Sequence, residues 1–513
     1  MIPETALVSV YDKTGIDELG RALHRAEVTI ISTGGTAAAL SRAGVPVTPI
    51  EHITGFSNLM EGRVKTLHTD IYAGILARRG TPDMETLAAK GITPIDMVVC
   101  DFYPLELGMA DMDIGGPCMV RAAAKNWRDV VVVSHPSQYT RVIGQLDTGF
   151  DEDSRRNLAI EALQRTSHYD AMLWSGEGHP KFPELLTLPF QKAAVLRYGE
   201  NPHQEGAFYV GRAAEPCVAS GRQLQGKEIS YNNLLDAHGA IECVKEFDQP
   251  TVVIMKHATP SGIASHDDLV EAWRGAFATD EYSPFGGVVA VNREVSGALA
   301  QKMTDIFLEV VIAPAFSSGA QKIFREKKNL RLLQVDGLGS SRRQPGLEFR
   351  SVNGGLLIQD RDVQEIRSED WQVVTETKPS HHDLQSMSFA VKCVKHIKSN
   401  AVVFVKDTRT VAIGGGQTSR VDASWIAVHK GGENIRGSIM ASDAFFPFRD
   451  AVDVAAEAGI RAIIQPGGSI RDREVIQAAN EHGIAMVFSG RRYFCLLYTS
   501  PSPRDRTRSR MPS

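Results

Sequence analysis

Short apolar runs alternate with amphipathic stretches over residues 5–135. TALVSV (5–10), VTII (28–31), MVVC (97–100) and DVVVV (129–133) are rich in β-branched side chains. Such runs predict strands buried on both faces. Between them lie helical periods. GIDELGRALHRAE (15–27) places Ile16, Leu19 and Leu23 on one face, and TAAALSRAG (36–44) predicts a helix that Gly44 ends. This alternation predicts a parallel sheet with helices on both sides. Ligands of such sheets gather beyond the carboxyl ends of the strands.

The pattern breaks over residues 175–204. There SGEGHPKFP (175–183) and RYGENPHQ (197–204) are rich in Gly and Pro and predict a boundary region. Mixed α/β patterning then returns up to about residue 494. NAVVFVKDTRTVAIGGG (400–416) predicts a hairpin turning at Asp407-Thr408-Arg409, and RAIIQPGGS (461–469) predicts a strand with a Gly-rich turn. That turn echoes VVIMKHATPSG (252–262), which raises the prospect of two similar halves. In KHATPSG (256–262) the apolar run TVVIM ends on Lys256 and His257, and Pro-Ser-Gly predicts a turn directly after them. Residues 495–513 have no apolar period, are rich in Ser, Pro and Arg, and predict a disordered or non-native tail.

Composition adds exclusions. Of 513 residues 43% are apolar and 23% charged, as in an ordinary soluble protein of several domains. The net charge of −5 argues against a large nucleic-acid face, so an anionic ligand must be held by local clusters. The tail, with four Arg against one Asp, is the single basic exception. The six cysteines are scattered and form no C-x-x-C, which predicts a reduced, cytoplasmic chain without disulfides or a Cys-rich zinc site. The start MIPETALVSV lacks a basic stretch before its apolar residues, unlike a secretory signal. No apolar run nears the roughly 18–20 residues of a membrane helix.

Candidate chemistry collects at predicted strand ends. The first strand runs into SVYDKTG (9–15) and the second into STGGT (32–36), where two glycines and a helix start suit a phosphate. GRVKTLH (62–68) brings Arg63, Lys65 and His68 together. MVVC runs into Asp101-Phe102-Tyr103-Pro104. In DIGGPCMVRAAAKN (113–126), Asp113 precedes a helix on which Arg121 and Lys125 share a face, as cations do beside an anion. Each segment also has a plain reading: a Gly-rich turn, a solvated basic loop, a half-buried tyrosine. His381-His382-Asp383 is the other metal-like cluster, and it predicts a solvated loop.

GRVKTLH, DIGGPCMVRAAAKN, RYGENPHQ, KHATPSG, GGGQTSR and FFPFRD occur in this order along one chain. The sequence thereby resembles the PurH family of bifunctional purine biosynthesis proteins over about residues 5–494. The resemblance implies an α/β protein. Residues 1–194 would be a methylglyoxal-synthase-like inosine monophosphate (IMP) cyclohydrolase domain with its linker. Residues 195–494 would be an aminoimidazole carboxamide ribonucleotide (AICAR) transformylase domain of two cytidine-deaminase-like halves. It further implies a homodimer, 10-formyltetrahydrofolate as co-substrate, no metal, and no nucleic-acid or membrane partner.

Site residues follow motif by motif. In the cyclohydrolase the resemblance implies catalytic roles for Lys65, Tyr103, Asp113 and Lys125. It implies phosphate binding by Ser32, Gly34, Gly35 and Thr36, with Lys13 and Arg63 in ligand segments. In the transformylase it implies catalysis by Lys256 and His257, and substrate binding by Arg197, Tyr198, Asn400, Arg420, Phe445 and Asp450. The sequence departs from the family at Tyr11, at Thr69, at Thr259 and Ser261 in place of Asn and Cys, and after Phe494, where a final His is missing. Zinc deamination, the alternative for a related fold, requires H-x-E and P-C-x-x-C; here His257-Ala258-Thr259 has no Glu, and no C-x-x-C occurs in the sequence. A first domain that only binds a phosphosugar is the alternative to two activities.

Overall fold

The structure is a computed structural model. It describes residues 1–496 except 57–59, 61–62, 106–107, 177, 179 and 341–342. The predicted tail lies outside the described residues from 497 onward. The chain divides into two compact units, one of Met1–Phe190 and one from Gln191 onward.

In the first unit the apolar runs form a parallel sheet: β1 (Thr5–Ser9), β2 (Thr29–Ser32), β3 (Thr48–Pro49), β4 (Met97–Cys100) and β5 (Val131–Val133), in the order β3-β2-β1-β4-β5. Alternation along β1 sends Ala6 and Val8 to one face, where they pack with Ile16, Leu19 and Leu23 of helix Ile16–Arg25. Leu7 points to the other face, among Ile71, Met119 and Ala162. Both faces are covered, so the central residues of β1, β2, β4 and β5 are apolar on both sides. Helix Gly34–Arg42 stops at Ala43, and Gly44 takes the left-handed backbone (φ 76°) that a side chain would resist. The ends of β1, β2 and β4 therefore deliver SVYDKTG, STGGT and DFYP to one edge.

The second unit is built on a twelve-stranded sheet. Two halves repeat one element order. In the first, helix Tyr231–Val244 precedes hairpin Thr251–Lys256/Thr259–Ser265, helix Leu269–Phe277 and strand Gly287–Val291. In the second, helix His381–Val394 precedes hairpin Val402–Lys406/Arg409–Gly414, helix Arg420–Gly431 and strand Ile439–Ser442. The halves join where Thr259–Ser265 pairs antiparallel with Arg409–Gly414. Ser230 and Ser380 cap the two first helices through matching capping boxes.

Four expectations are corrected here. The counterpart of VVIMKH is VVFVKD (402–407), the same hairpin position in the other half; RAIIQ is a later strand, Ala462–Gln465. The first hairpin turns at His257-Ala258, so Pro260, Ser261 and Gly262 lie inside the second strand, at a bulge. RYGENPHQ is no boundary segment but the loop between strands Gln191–Leu196 and Gly206–Val210. His381-His382-Asp383 forms the first turn of a helix, where His382 pairs with Asp407 (2.9 Å) and Asp383 with Arg461 (2.7 Å).

A buried ionic cluster ties the connection between the halves to both first helices. Glu242 meets Lys245 (3.2 Å), Arg343 (3.1 Å) and Arg361 (2.6 Å). Glu246 meets Arg343 (2.7 Å), Lys395 (3.2 Å) and His396 (3.1 Å). Burial pushes Glu242 up, but Lys245, His238, Arg343 and Arg361 outweigh it and hold the carboxyl at about 2. No helix among the described residues is long and apolar enough to cross a membrane.

Candidate functional sites

The first constellation surrounds the start of helix Gly34–Arg42. Ser32, fully buried, donates through Oγ to the Val8 carbonyl (2.8 Å). The Thr36 hydroxyl accepts the Val10 N–H (3.1 Å) and donates to the Val10 carbonyl (2.9 Å). These bonds lock the end of β2 to β1, and Gly34 and Gly35 open the helix, where N–H groups have no intrahelical partner. A β-carbon on Gly35 would meet nothing within 4 Å; one on Gly34 would lie 3.6 Å from the Lys65 Nζ. The Lys65 amine thus stands over a helix start, an arrangement suited to an anion.

Lys65 arrives there because the 65–68 segment packs on the start of helix Gly115–Lys125. A β-carbon on Gly115 would fall 2.6 Å from the Thr66 Oγ1. Asp113 sits just before that helix. Its Oδ1 accepts the Gly116 N–H (2.9 Å), and its own N–H donates to the Tyr169 hydroxyl (2.8 Å). Burial pushes its carboxyl up, only partly offset by the N–H groups of Gly116 and Tyr103. Tyr103 is 49% exposed, and burial of the rest of its ring with nearby Asp113 pushes its phenol up. The Tyr11 ring stands edge-on to it at 5.6 Å.

Asp101 was not singled out from sequence. Its carboxylate accepts the N–H groups of Tyr11 and Asp12 (2.9 Å for the latter), pinning the loop that carries Lys13. Burial lowers Lys13 despite Asp101 and Asp12, and its Nζ donates to the Val10 and Tyr11 carbonyls. Arg63 is exposed, its Nε on the Met60 carbonyl (3.3 Å). Lys125 is exposed at the opposite end of its eleven-residue helix, about 15 Å along the axis from Gly115. Within one chain it does not join Lys65, Tyr103 and Asp113. The anion beside Arg121 is Asp170 of helix Glu152–Gly176, so that cation is answered from inside the chain.

The second constellation lies in a cleft of about 310 Å³ between the two halves of the larger unit. Lys256, His257, Thr259, Ser261 and Asp280 line it from the first half, and Ile413, Gln417 and Lys430 from the second. Lys430 reaches across to Asp280 (3.1 Å). Lys256 donates to the Phe285 carbonyl (2.9 Å). His257 and Ala258 form the turn with φ of 55° and 53°, a left-handed pair that costs roughly 1–2 kcal/mol per non-glycine residue.

Of the remaining expected residues, Asn400 and Arg420 come together. Arg420, 6% exposed, donates to Asp443, the Ser442 Oγ (2.8 Å) and the Asn400 Oδ1 (2.7 Å), so its guanidinium braces this corner. Phe445 and Asp450 are exposed on the stretch after strand Ile439–Ser442. The Arg197 guanidinium lies 5.7 Å from the Tyr198 ring in the loop whose Glu200 carbonyl accepts from Asn232, at the start of helix Tyr231–Val244. Cys495 exchanges hydrogen bonds with Ser399, beside Asn400, so the departure at the C-terminal end lies against this corner. Among the described residues no group of three or more His, Cys, Asp and Glu could hold a metal ion.

Comparison with known proteins bears on both constellations. Residues 123–430 match the model of the AICARFT/IMPCHase bienzyme family, well over half the chain. The chain belongs to that family. Residues 15–117, which carry Ser32, Gly34, Gly35, Thr36, Lys65, Tyr103 and Asp113, match an MGS-like domain. The chain is 47% identical to the bifunctional purine biosynthesis protein PurH of Acetivibrio thermocellus, over 95% of this chain and 99% of that one. Proteins of the same description from Magnetococcus marinus and Ruminiclostridium cellulolyticum are 46% and 44% identical, each over 95% of this chain and at least 98% of theirs. Against the family pattern, two departures, Thr259 and Ser261, line the cleft itself.

Proposed function

We propose that this chain performs both reactions of its family, formyl transfer to AICAR and closure of the formylated nucleotide to IMP. The carrying observation is that Lys256 and His257 line a cleft in one unit, while in the other Lys65 stands at the start of helix Gly34–Arg42 and its neighbour Thr66 meets the start of helix Gly115–Lys125, which Asp113 precedes. Two chemistries fit two places.

In the cleft, 10-formyltetrahydrofolate is the formyl donor. The exocyclic amine of AICAR is conjugated and weakly nucleophilic, so a base must take its proton as the new N–C bond forms. His257 takes it. Lys256 stabilises the oxyanion on the formyl carbon and returns a proton to the departing folate nitrogen as the old C–N bond breaks. Arg197, Tyr198, Asn400, Phe445 and Asp450 hold the two substrates, with Arg420 bracing Asn400. Holding them together lowers the barrier by at most about 7–11 kcal/mol.

At the first constellation the reacting groups are already tethered. The carboxamide nitrogen attacks the formyl carbon, and water leaves. Ser32, Gly34, Gly35 and Thr36 cradle the phosphate, Lys13 and Arg63 flank it, and Lys65 and Tyr103 stabilise oxygen charge. Asp113, raised by burial, moves the amide proton. Lys125 can share that task only by approaching from outside the cluster of one chain. We read the protein as a cytoplasmic homodimer and its larger unit as two cytidine-deaminase-like halves. The repeated element order supports the second reading, and the six free cysteines fit a reducing compartment.

The test is direct: purified protein receives AICAR and 10-formyltetrahydrofolate, and IMP is followed. IMP should form. Accumulation of formyl-AICAR without IMP would reduce the first unit to a phosphosugar-binding module.

A further inference from the structure

The turn that carries His257 holds a backbone shape that its residues resist. Two-residue hairpin turns with two left-handed positions favour Asn-Gly or Asp-Gly, yet this one is His-Ala. Three polar atoms of the turn are gripped from outside. The Asp236 Oδ1 accepts the Ala258 N–H (2.6 Å), and its Oδ2 accepts the His257 N–H (3.4 Å). The Lys398 Nζ donates to the His257 carbonyl (2.6 Å). Asp236 is 9% exposed and comes from helix Tyr231–Val244 of the first half. Lys398 precedes strand Val402–Lys406 of the second. Both halves therefore hold the one turn.

The other hairpin is an internal control. Its turn, Asp407-Thr408, has only Asp407 at positive φ (54°), and aspartate tolerates that backbone. Residue 386, at the place equivalent to Asp236, is a serine. A buried carboxylate occurs where an imidazole must be aimed.

We propose that Asp236 and Lys398 are positioning residues for formyl transfer, which fix the His257-Ala258 turn and so aim the imidazole into the cleft. This rests on the formyl-transfer reading above. Asp236→Asn and Lys398→Met are made in the full chain. Formyl-transfer kcat and KM, cyclisation of supplied formyl-AICAR, and melting temperature are measured. For each variant kcat should fall about 10–100-fold, with KM for both substrates within about twofold and cyclisation unchanged. Ala258→Gly, added to Asp236→Asn, should recover most of the loss, because glycine takes this backbone without help.

A wild-type kcat in Asp236→Asn overturns the proposal. So does a loss that follows a lowered melting temperature and is not recovered by Ala258→Gly. If Asp236→Asn does not fold, Lys398→Met decides by the same kcat and KM criteria. Failure of the formyl-transfer reading itself looks different: the unaltered protein then transfers no formyl group.

Discussion

The Lys65 amine lies 3.6 Å from the place a β-carbon on Gly34 would occupy, at a residue whose φ is already positive at 28°. The positive φ would strain any side chain at 34, and one bulkier than a β-carbon would reach past van der Waals contact toward the amine. Gly34→Val should raise KM for formyl-AICAR about 10–100-fold, the worth of one hydrogen bond to a charged group, and leave formyl transfer in the other unit unchanged. Steady-state kinetics on both substrates checks this.

Asp113 supplies a pH signature. Burial raises its carboxyl above the ordinary 3.8, and Asp101 adds to the rise. As pH falls, such a group takes up its proton sooner than a free carboxylate. If Asp113 acts as the base, cyclohydrolase kcat/KM should fall on the acid side with a midpoint above 3.8. Asp113→Asn should remove this limb together with about 10²–10⁴-fold of the rate.

The ionic cluster predicts how the larger unit responds to acid. Glu242 is held at about 2, against an ordinary 4.5, and Glu246 lower still. A carboxyl whose folded pKa is depressed contributes stability above its unfolded pKa and loses it as pH falls through the folded value. The loss should therefore run from about pH 4.5 down to about 2. Glu242→Gln should flatten that slope in acid denaturation followed by circular dichroism. At neutral pH it should cost about 3–5 kcal/mol, since it leaves buried cations unpaired.

Gly262 tests the packing behind the cleft proposed for formyl transfer. A β-carbon there would fall 1.9 Å from the Ala276 carbonyl oxygen. Backbone cannot yield by that much locally. Gly262→Ala should destabilise the larger unit by about 3 kcal/mol or more and suppress formyl transfer. Cyclisation of supplied formyl-AICAR should persist in the same preparation.

Much of this was legible in the sequence because local patterns agreed with the fold. The strands of the first unit read as apolar runs since both sheet faces are covered. STGGT and DIGG read as turns into helices, and helices do start at Gly34 and Gly115. What escaped depends on distance along the chain. Asp236 is the sixth residue of its helix, twenty-one residues before the turn it holds, and no local pattern marks it. The duplication was read from the wrong pair of segments: Ser230 and Ser380, Lys245 and Lys395, and Lys256 and Lys406 recur at one spacing of 150 residues. Lys125 carried the family motif, yet helix length sets it apart from Asp113. Arg121 suggested a ligand anion because Asp170, its partner, lies 49 residues away.

Separate dissection of the two reactions tests the central claim, that each unit houses its own chemistry. Lys65→Ala and His257→Ala proteins are each given AICAR with 10-formyltetrahydrofolate, and separately formyl-AICAR, while both nucleotide products are quantified. Lys65→Ala should accumulate formyl-AICAR and make no IMP. His257→Ala should leave AICAR unformylated yet convert supplied formyl-AICAR at the unaltered rate. Loss of both reactions from either single substitution in a folded protein, or of neither, would contradict the account.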